Sequence, residues 1–341
     1  MKNLSFLNKI FYFLNVIFAI LLLFSYLLAF ISPEKIPAFA VLSLFVPFLI
    51  IINIIFFIFW LIKLKKQAFL SAFILIIGLF FSSPFYKLSG KNNSLNSDIK
   101  VMSYNVHMFN YYKWIKDETV AQKAFDFIKE KNPDILAIQE FHESEKISVL
   151  YAHKYIKKRV ESNKFGLAIF SKYKIVNSGS LDFKKTNNNA IFVDILIDND
   201  TVRIYNLHLE SLRINPEKEN FGEENSEKLF KRMSNSFKKQ AEQTEQFLAH
   251  EKAFKGKKII CGDFNNTAYS WVYKQISKNK KDAFLQAGKG FGKSFNYAFP
   301  LRIDFILTDK NAIINQFTTF SVKYSDHFPI LAKINWKKPL Q

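Results

Sequence analysis

The chain has 341 residues, 49% of them hydrophobic and 23% charged, and carries a formal charge of +19 at neutral pH. Its one cysteine, Cys261, excludes an intrachain disulfide. The basic excess favours anionic partners such as nucleic acid or phospholipid headgroups, although abundant Lys, Asn, Ile and Phe with scarce Arg is also what a biased genome composition produces. Eight lysines but only Glu34 and Asp98 precede Ile99, so +13 of the +19 belongs to residues 99–341.

Three uncharged apolar runs, 10–31, 38–62 and 68–85, fill the first 86 residues. A helix crosses the hydrocarbon of a bilayer with ~20 apolar residues, so 1–86 reads as a membrane anchor of three transmembrane helices, the third weakened by Gly78 and Pro84. A cleaved signal peptide fits the first run poorly, since it is too long and no small-residue cleavage site precedes Ser32-Pro33. The lipid bilayer is therefore an expected partner and a bacterial inner membrane the expected location; no obligate protein partner is implied. Lys2 and Lys9 before the first run, and Lys63, Lys65 and Lys66 after the second, place both of these segments in the cytoplasm, and a third crossing then puts everything beyond Tyr86 outside it. Residues 87–98 lack periodicity and are rich in turn formers, which reads as a flexible linker to a domain spanning 99–341.

In that domain strands and helices alternate. Ile99–Tyr104 reads as a strand, Thr119–Lys131 as an amphipathic helix ended by Asn132-Pro133, Asp134–Gln139 as a strand and Glu143–Tyr151 as a helix. Gly166–Ser171, Ala190–Ile197 and Thr201–His208 read as strands, the last two a hairpin through Asp198-Asn-Asp200. A polar insertion, Ser211–Leu229, leads into a long helix over about Phe230–Glu251. Strand Lys258–Cys261, a helix near Ser270–Ser277, and strands Ile303–Thr308 and Ile330–Asn335 complete an α/β body. Cys261 reads as a core residue of its strand.

Nearly every strand delivers a polar residue at its end: Asn105, Glu140, His208, then Asp263 and Asn265 in Gly262-Asp-Phe-Asn265. Asp304 interrupts Leu301–Leu307, and Asp326-His327 lies near the C-terminus. Singly these are common as turn formers or caps, and Asp304 could simply pair with Arg302. Together they would make a pocket of carboxylates, carboxamides and imidazoles suited to a hard divalent cation rather than to structural zinc. The segment Gly288–Ser294 lacks the spacing of a phosphate loop.

The blocks Ser103-Tyr-Asn-Val106, Ile138-Gln-Glu140, Gly166–Lys172, Asn206-Leu-His-Leu209, Gly262-Asp-Phe-Asn265, Arg302–Leu307 and Ser325-Asp-His327 resemble, in order, those of the endonuclease/exonuclease/phosphatase superfamily. The resemblance covers 99–341 and implies a four-layered α/β sandwich of the deoxyribonuclease I type. It further implies Glu140 as the main ligand of Mg²⁺ (or Mn²⁺), with Asn105 and Asp326 beside it. Asp263 would activate water, Asn265 would hold that water or a phosphoryl oxygen, and His327, fixed by Asp304, would touch the phosphate. His208 would assist the phosphate or leaving group, and it points away from the abasic-site branch. The implied activity is metal-dependent hydrolysis of a phosphate ester, nuclease-like, with a sphingomyelinase-like or phosphoinositide-phosphatase-like hydrolase and a non-catalytic membrane-tethered binding module as alternatives.

Overall fold

The structure, a computed structural model, describes residues 4–81, 83–143, 145–159, 164–198, 200–212 and 223–336. Its chain divides into two compact units.

The first comprises Met1–Phe85, Arg213–Ala241 and Thr267–Lys274. Its helices are α1 (Phe6–Leu28), α2 (Pro37–Ala40), α3 (Val46–Ile62) and α4 (Ala68–Phe81), with a 3-10 turn at Val41–Leu44. Here the expectation of three spanning helices is corrected. Among the described residues only α1 is by itself long and apolar enough to cross a membrane, and the segments Pro37–Leu44 and Val46–Ile62, bent by 58°, make at most one more. The bend has a covalent cause. Pro47 sits in the first turn of α3, and its ring and missing N–H prevent a helix from running through from the preceding turn. The third run yields a helix of 14 residues, about 21 Å at 1.5 Å per residue, against a hydrocarbon thickness of ~30 Å. Polarity in this unit is inverted. Phe80 is 80% exposed and Phe6, Leu7 and Phe69 are each 76% exposed, while Asn15 is fully buried and donates to Ser71 at 2.7 Å.

The second unit comprises Tyr86–Leu212, Glu242–Asn266 and Gln275–Gln341. Its strands are β1 (Ile99–Asn105), β2 (Ile135–His142), β3 (His153–Lys158), β4 (Phe165–Ser171), β5 (Ile175–Ser180), β6 (Asn189–Ile197), β7 (Asp200–His208), β8 (Lys257–Asp263), β9 (Lys280–Asp282), β10 (Asp304–Asp309), β11 (Ile313–Thr319) and β12 (Ile330–Asn335). The helices are α5 (Val120–Lys131), α6 (Glu145–Ser148), α7 (Glu223–Ala253), α8 (Trp271–Ser277) and α9 (Ala283–Ala287); the division assigns the first parts of α7 and α8, to Ala241 and Lys274, to the first unit. Two six-stranded sheets form, in the orders β11-β12-β1-β2-β4-β3 and β5-β6-β7-β8-β10-β9. Within each, one central pair is parallel, β1 with β2 and β7 with β8.

The sheets pack face to face. Val101, Ile135, Ile169 and Ile330 of the first meet Ile191, Ile204, Ile259 and Ile306 of the second in one buried cluster. Outside the first sheet, α5 lays Ala124, Phe127 and Ile128 on Met102, Leu136 and Phe170. Outside the second, Phe247 of α7 stands edge-on to Tyr205 at 5.1 Å between ring centroids. This is the expected α/β sandwich with helices outside two mixed sheets.

Some boundaries differ from expectation. The helix expected over Glu143–Tyr151 is a single turn, Glu145–Ser148, because the chain must bend back into β3. The long helix begins at Glu223, inside the segment read as a polar insertion; residues 213–222 of that insertion lie outside the described residues. Residues 87–98 run along the second unit, with Lys87 and Gly290 exchanging backbone hydrogen bonds and Lys91 N donating to Ala287 O.

Candidate active site

The register of the sheets places the polar strand ends beside one another. In the second sheet His208 is level with Asp263, and Asp263 with Asp304, so three strands present one row of side chains. In the first sheet Asn105, ending β1, is level with Gln139 of β2. Between Ile138 and Phe141 the β2–β4 ladder is bulged, and Glu140 within the bulge has φ 50°. A left-handed non-glycine residue at a bulge re-aims its side chain. The bulge interrupts the ladder next to the carbonyls of Ile138 and Ala168, and Asn206 of the opposite sheet reaches across to donate to both, at 2.8 and 3.0 Å, while accepting from Gln139 at 2.6 Å. Buried polar groups must be paired; here one carboxamide from the second sheet pairs the gap in the first.

These contacts bring Asn105, Glu140, His208, Asp263, Asp304 and His327 into one connected set. Asn105 Nδ2 donates to Asp263 Oδ2 at 3.1 Å, and Asn265 N donates to Asp263 Oδ1 at 2.7 Å. His208 Nε2 lies 3.7 Å from Asp263 Oδ2 and 3.8 Å from Glu140 Oε1. His327 bridges two carboxylates, with Nδ1 at 2.9 Å from Asp304 Oδ2 and Nε2 at 3.6 Å from Asp263 Oδ2. The other expected residues stand at the margin. Asp326 is paired with His107 Nδ1 at 3.2 Å, its side chain 43% exposed. The Asn265 side chain donates to Leu209 O at 2.9 Å. Asp304 is not the partner of Arg302, whose guanidinium holds Asp282 at 2.6 Å.

The row is tied down from below. Ser294 Oγ accepts from the backbone N–H groups of Ile303 and Asp304, both at 3.0 Å. Ser325 Oγ donates to the carbonyl of Asn105 at 2.8 Å, joining the Asp326-His327 loop to the end of β1.

Burial and mutual charge separate the titrating groups. Burial, then the nearby positive charges of Arg159 and His327, hold His208 well below the usual histidine range, so its imidazole is neutral. For His327 burial alone would act in the same direction, but Asp304 and Asp263 outweigh it and raise the group well above that range. Burial pushes Asp263 up to about 7, against the opposing influence of His327 and of the donors Asn265 and Asn105. One imidazolium clamped by two carboxylates and one neutral imidazole therefore face the same small space.

Two residues near the site left no mark in the sequence. Arg159, following edge strand β3, acts electrostatically on His208; it belongs to no pattern. His107 follows Asn105 by two residues, and only the fold brings it to Asp326. Among the described His, Cys, Asp and Glu side chains, those of Asp263, Asp304 and His327 bring atoms able to ligate a metal to within 4.8 Å of one another.

A family model described as the endonuclease/exonuclease/phosphatase family matches residues 102–327, and a model described as a domain of unknown function matches residues 8–85. No curated protein matches the chain in sequence. Among solved structures, the catalytic domain of human nocturnin with a bound sulfate anion superposes with a TM-score of 0.55 at 20% identity, covering 70% of this chain and 93% of its own. Truncated TDP2 of Caenorhabditis elegans gives 0.51 at 18% identity, covering 70% and 97%. A mannosyl-6-phosphatase of Bacteroides thetaiotaomicron gives 0.50 at 16% identity, covering 70% and 99%.

Proposed function

The chain belongs to the endonuclease/exonuclease/phosphatase family of phosphoric ester hydrolases, and from that premise we propose that it is a membrane-held, divalent-metal-dependent phosphodiesterase with nuclease-like specificity. The observation that carries the reading is the His208–Asp263–Asp304 row, closed by His327 and faced by Asn105 and Glu140.

The cation belongs on the Glu140 side. Among the described residues, the Glu140 carboxylate has only His208, at 3.8 Å, as a neighbour of opposite polarity, with its side chain 18% exposed. A largely buried carboxylate without a hydrogen-bond donor suits a metal ligand, and with the amide oxygen of Asn105 and the carboxylate of Asp326 it makes the hard-oxygen set that Mg²⁺ or Mn²⁺ prefers. In the tighter trio of Asp263, Asp304 and His327 both imidazole nitrogens already face carboxylates, Nδ1 at 2.9 Å from Asp304 Oδ2 and Nε2 at 3.6 Å from Asp263 Oδ2. A cation held there would neutralise charge on a phosphoryl oxygen.

The protein's own groups divide the remaining work. Asp263, oriented by Asn105 and the Asn265 N–H, accepts the proton of the attacking water, and a carboxylate raised to about 7 is a competent base near neutral pH. His327, oriented by Asp304, presents a positive N–H to the charge that develops on phosphate. Neutral His208 serves as a hydrogen-bond donor to a phosphoryl or leaving-group oxygen. Asn265 orients Asp263 through its backbone N–H, and its side-chain Nδ2 is held by Leu209 O. Arg159 adds positive charge at the rim.

The test is hydrolysis of bis(p-nitrophenyl) phosphate, plasmid DNA, RNA and phospholipid vesicles by the full chain in detergent with Mg²⁺. Glu140→Ala and Asp263→Asn are each expected to lower turnover by about 10²–10⁴-fold; undiminished turnover in both would refute the assignment. A lipid phosphodiesterase is the second reading, favoured by the exposed apolar side chains of the first unit; preferential turnover of vesicles would establish it.

A further inference from the structure

Beside the site lies a surface that hydrolysis of a small phosphodiester does not use. After Asn105 the chain enters a turn in which His107, Met108, Phe109 and Asn110 all have φ between 43° and 60°, and Lys113 follows at 57°. Left-handed backbone costs a non-glycine residue about 1–2 kcal/mol, and a run of four persists only where its surroundings enforce it. Phe109 is buried against Phe125 and Phe141, with centroids at 4.7 and 6.1 Å. The Asn110 side chain brackets Ile115, donating to its carbonyl at 2.7 Å and accepting from its N–H at 2.9 Å. This is a braced loop.

What the loop presents is a continuous strip of rings. His107, which holds Asp326, stacks on Trp114 at 3.6 Å and 10°. Trp114 meets Tyr112 at 5.2 Å, and Tyr112 meets Tyr111 at 5.1 Å. Tyr111 stacks on His142 at 4.7 Å, and Phe165 lies 5.4 Å beyond. One end of the strip is thus at Asp326, and the other is on β2, two residues past Glu140. Tyr111, Tyr112 and Trp114 are 47%, 56% and 47% exposed. Rings serving only the core would be covered.

We propose that Tyr111, Tyr112 and Trp114 form a stacking platform for the unpaired bases of a single-stranded nucleic acid whose phosphate lies at the Glu140–Asp263 site. The inference rests on the nuclease-like reading above and names its substrate. Order and charge favour this occupant. The segment Tyr111-Tyr-Lys-Trp-Ile-Lys116 interleaves rings with exposed lysines, Arg159 lies on the side of His208, and 99–341 carries +13. Rings that offer π-faces between cations grip single strands without regard to sequence. Duplex bases keep their faces stacked on one another, so an unpaired strand is the substrate.

The experiment compares binding of a fluorescent oligothymidylate with that of an abasic oligomer of equal length and phosphate count, using the full chain in detergent with EDTA to prevent cleavage. Wild type is expected to bind the base-bearing strand about tenfold or more tightly than the abasic one. Tyr112→Ala and Trp114→Ala should bring the two affinities to within about twofold, and Tyr112→Phe should keep the difference. Equal binding of both strands by wild type overturns the platform, as does an equal loss for both strands in Tyr112→Ala. A defect of Tyr112→Ala confined to vesicle substrates would also overturn it, marking the strip as a lipid contact instead. Absence of any Mg²⁺-dependent turnover in wild type would sink the hydrolase reading separately, since the strand comparison needs no turnover.

Discussion

Asn206→Ala tests whether the two sheets are joined through the bulge that carries Glu140. Asn206 is fully buried and makes three hydrogen bonds, to Ile138 O, to Ala168 O and from Gln139 Nε2. Truncation leaves two carbonyls and an amide N–H without that partner. A net hydrogen bond contributes about 0.5–1.5 kcal/mol, and a buried group left unsatisfied costs about 1–3 kcal/mol. Gln139 Nε2 retains Ser103 Oγ at 3.2 Å, which limits the loss on that side. The total comes to about 3–5 kcal/mol, a large part of the 5–15 kcal/mol typical of a domain. The assay can use the single thiol. Cys261 is fully buried between the sheets, and burial raises its pKa, so alkylation at neutral pH reports opening of this unit alone. With an m-value of about 2 kcal/mol/M, the urea midpoint for Cys261 labelling should fall by about 1.5–2.5 M. A fall of less than about 0.3 M would mean that the bulge is held by its own strands and that the inter-sheet tie is dispensable.

Further outcomes follow from the site and the helices. Asp263 must be ionised to act as a base, and its raised value means that kcat/KM climbs as pH rises through about 7, whereas an ordinary carboxylate would have levelled off by about pH 5. In the proposed reaction His327 acts protonated, and Asp304 helps to raise it, so Asp304→Asn should move the alkaline limb of the profile to lower pH; an unmoved limb would separate Asp304 from His327. Arg159→Ala should weaken phosphate-ester binding several-fold in KM while relieving the downward pressure on His208; an unchanged KM would remove Arg159 from the site. For topology, if the bent pair is the second span and α4 does not cross, positive-inside keeps Lys63, Lys65, Lys66, Lys87, Lys91 and Lys100 on one cytoplasmic face. A reporter fused after Tyr86 should then be active in the cytoplasm; activity outside it would restore α4 as a third span.

The eight central strands were legible because each is apolar on both faces or ends in a polar residue of the site. The four that left no clear signal, β3, β5, β9 and β11, are the four sheet edges. An edge strand pairs on one side only and keeps charges such as those of His153-Lys-Tyr-Ile-Lys-Lys158, so its alternation is broken by design against aggregation. The row His208, Asp263 and Asp304 was readable as strand ends, whereas their distances depend on register, which no single strand encodes. Likewise Pro47 stood in plain view in an apolar run, but the 58° bend it causes belongs to the fold of the first unit.

Gly262 has φ +139°, and a Cβ there would stand 2.0 Å from the carbonyl oxygen of Leu207 and 2.7 Å from its nitrogen. Leu207 and Gly262 are register partners immediately before His208 and Asp263, so the close approach that bars a side chain is also what sets the imidazole beside the carboxylate. No rotamer relieves a clash of Cβ with backbone, and no L-residue adopts that φ comfortably. In genetic terms, codon 262 has no conservative neighbour: a change at its third base is silent, and every missense allele breaks the sheet at the point where the chemistry is assembled.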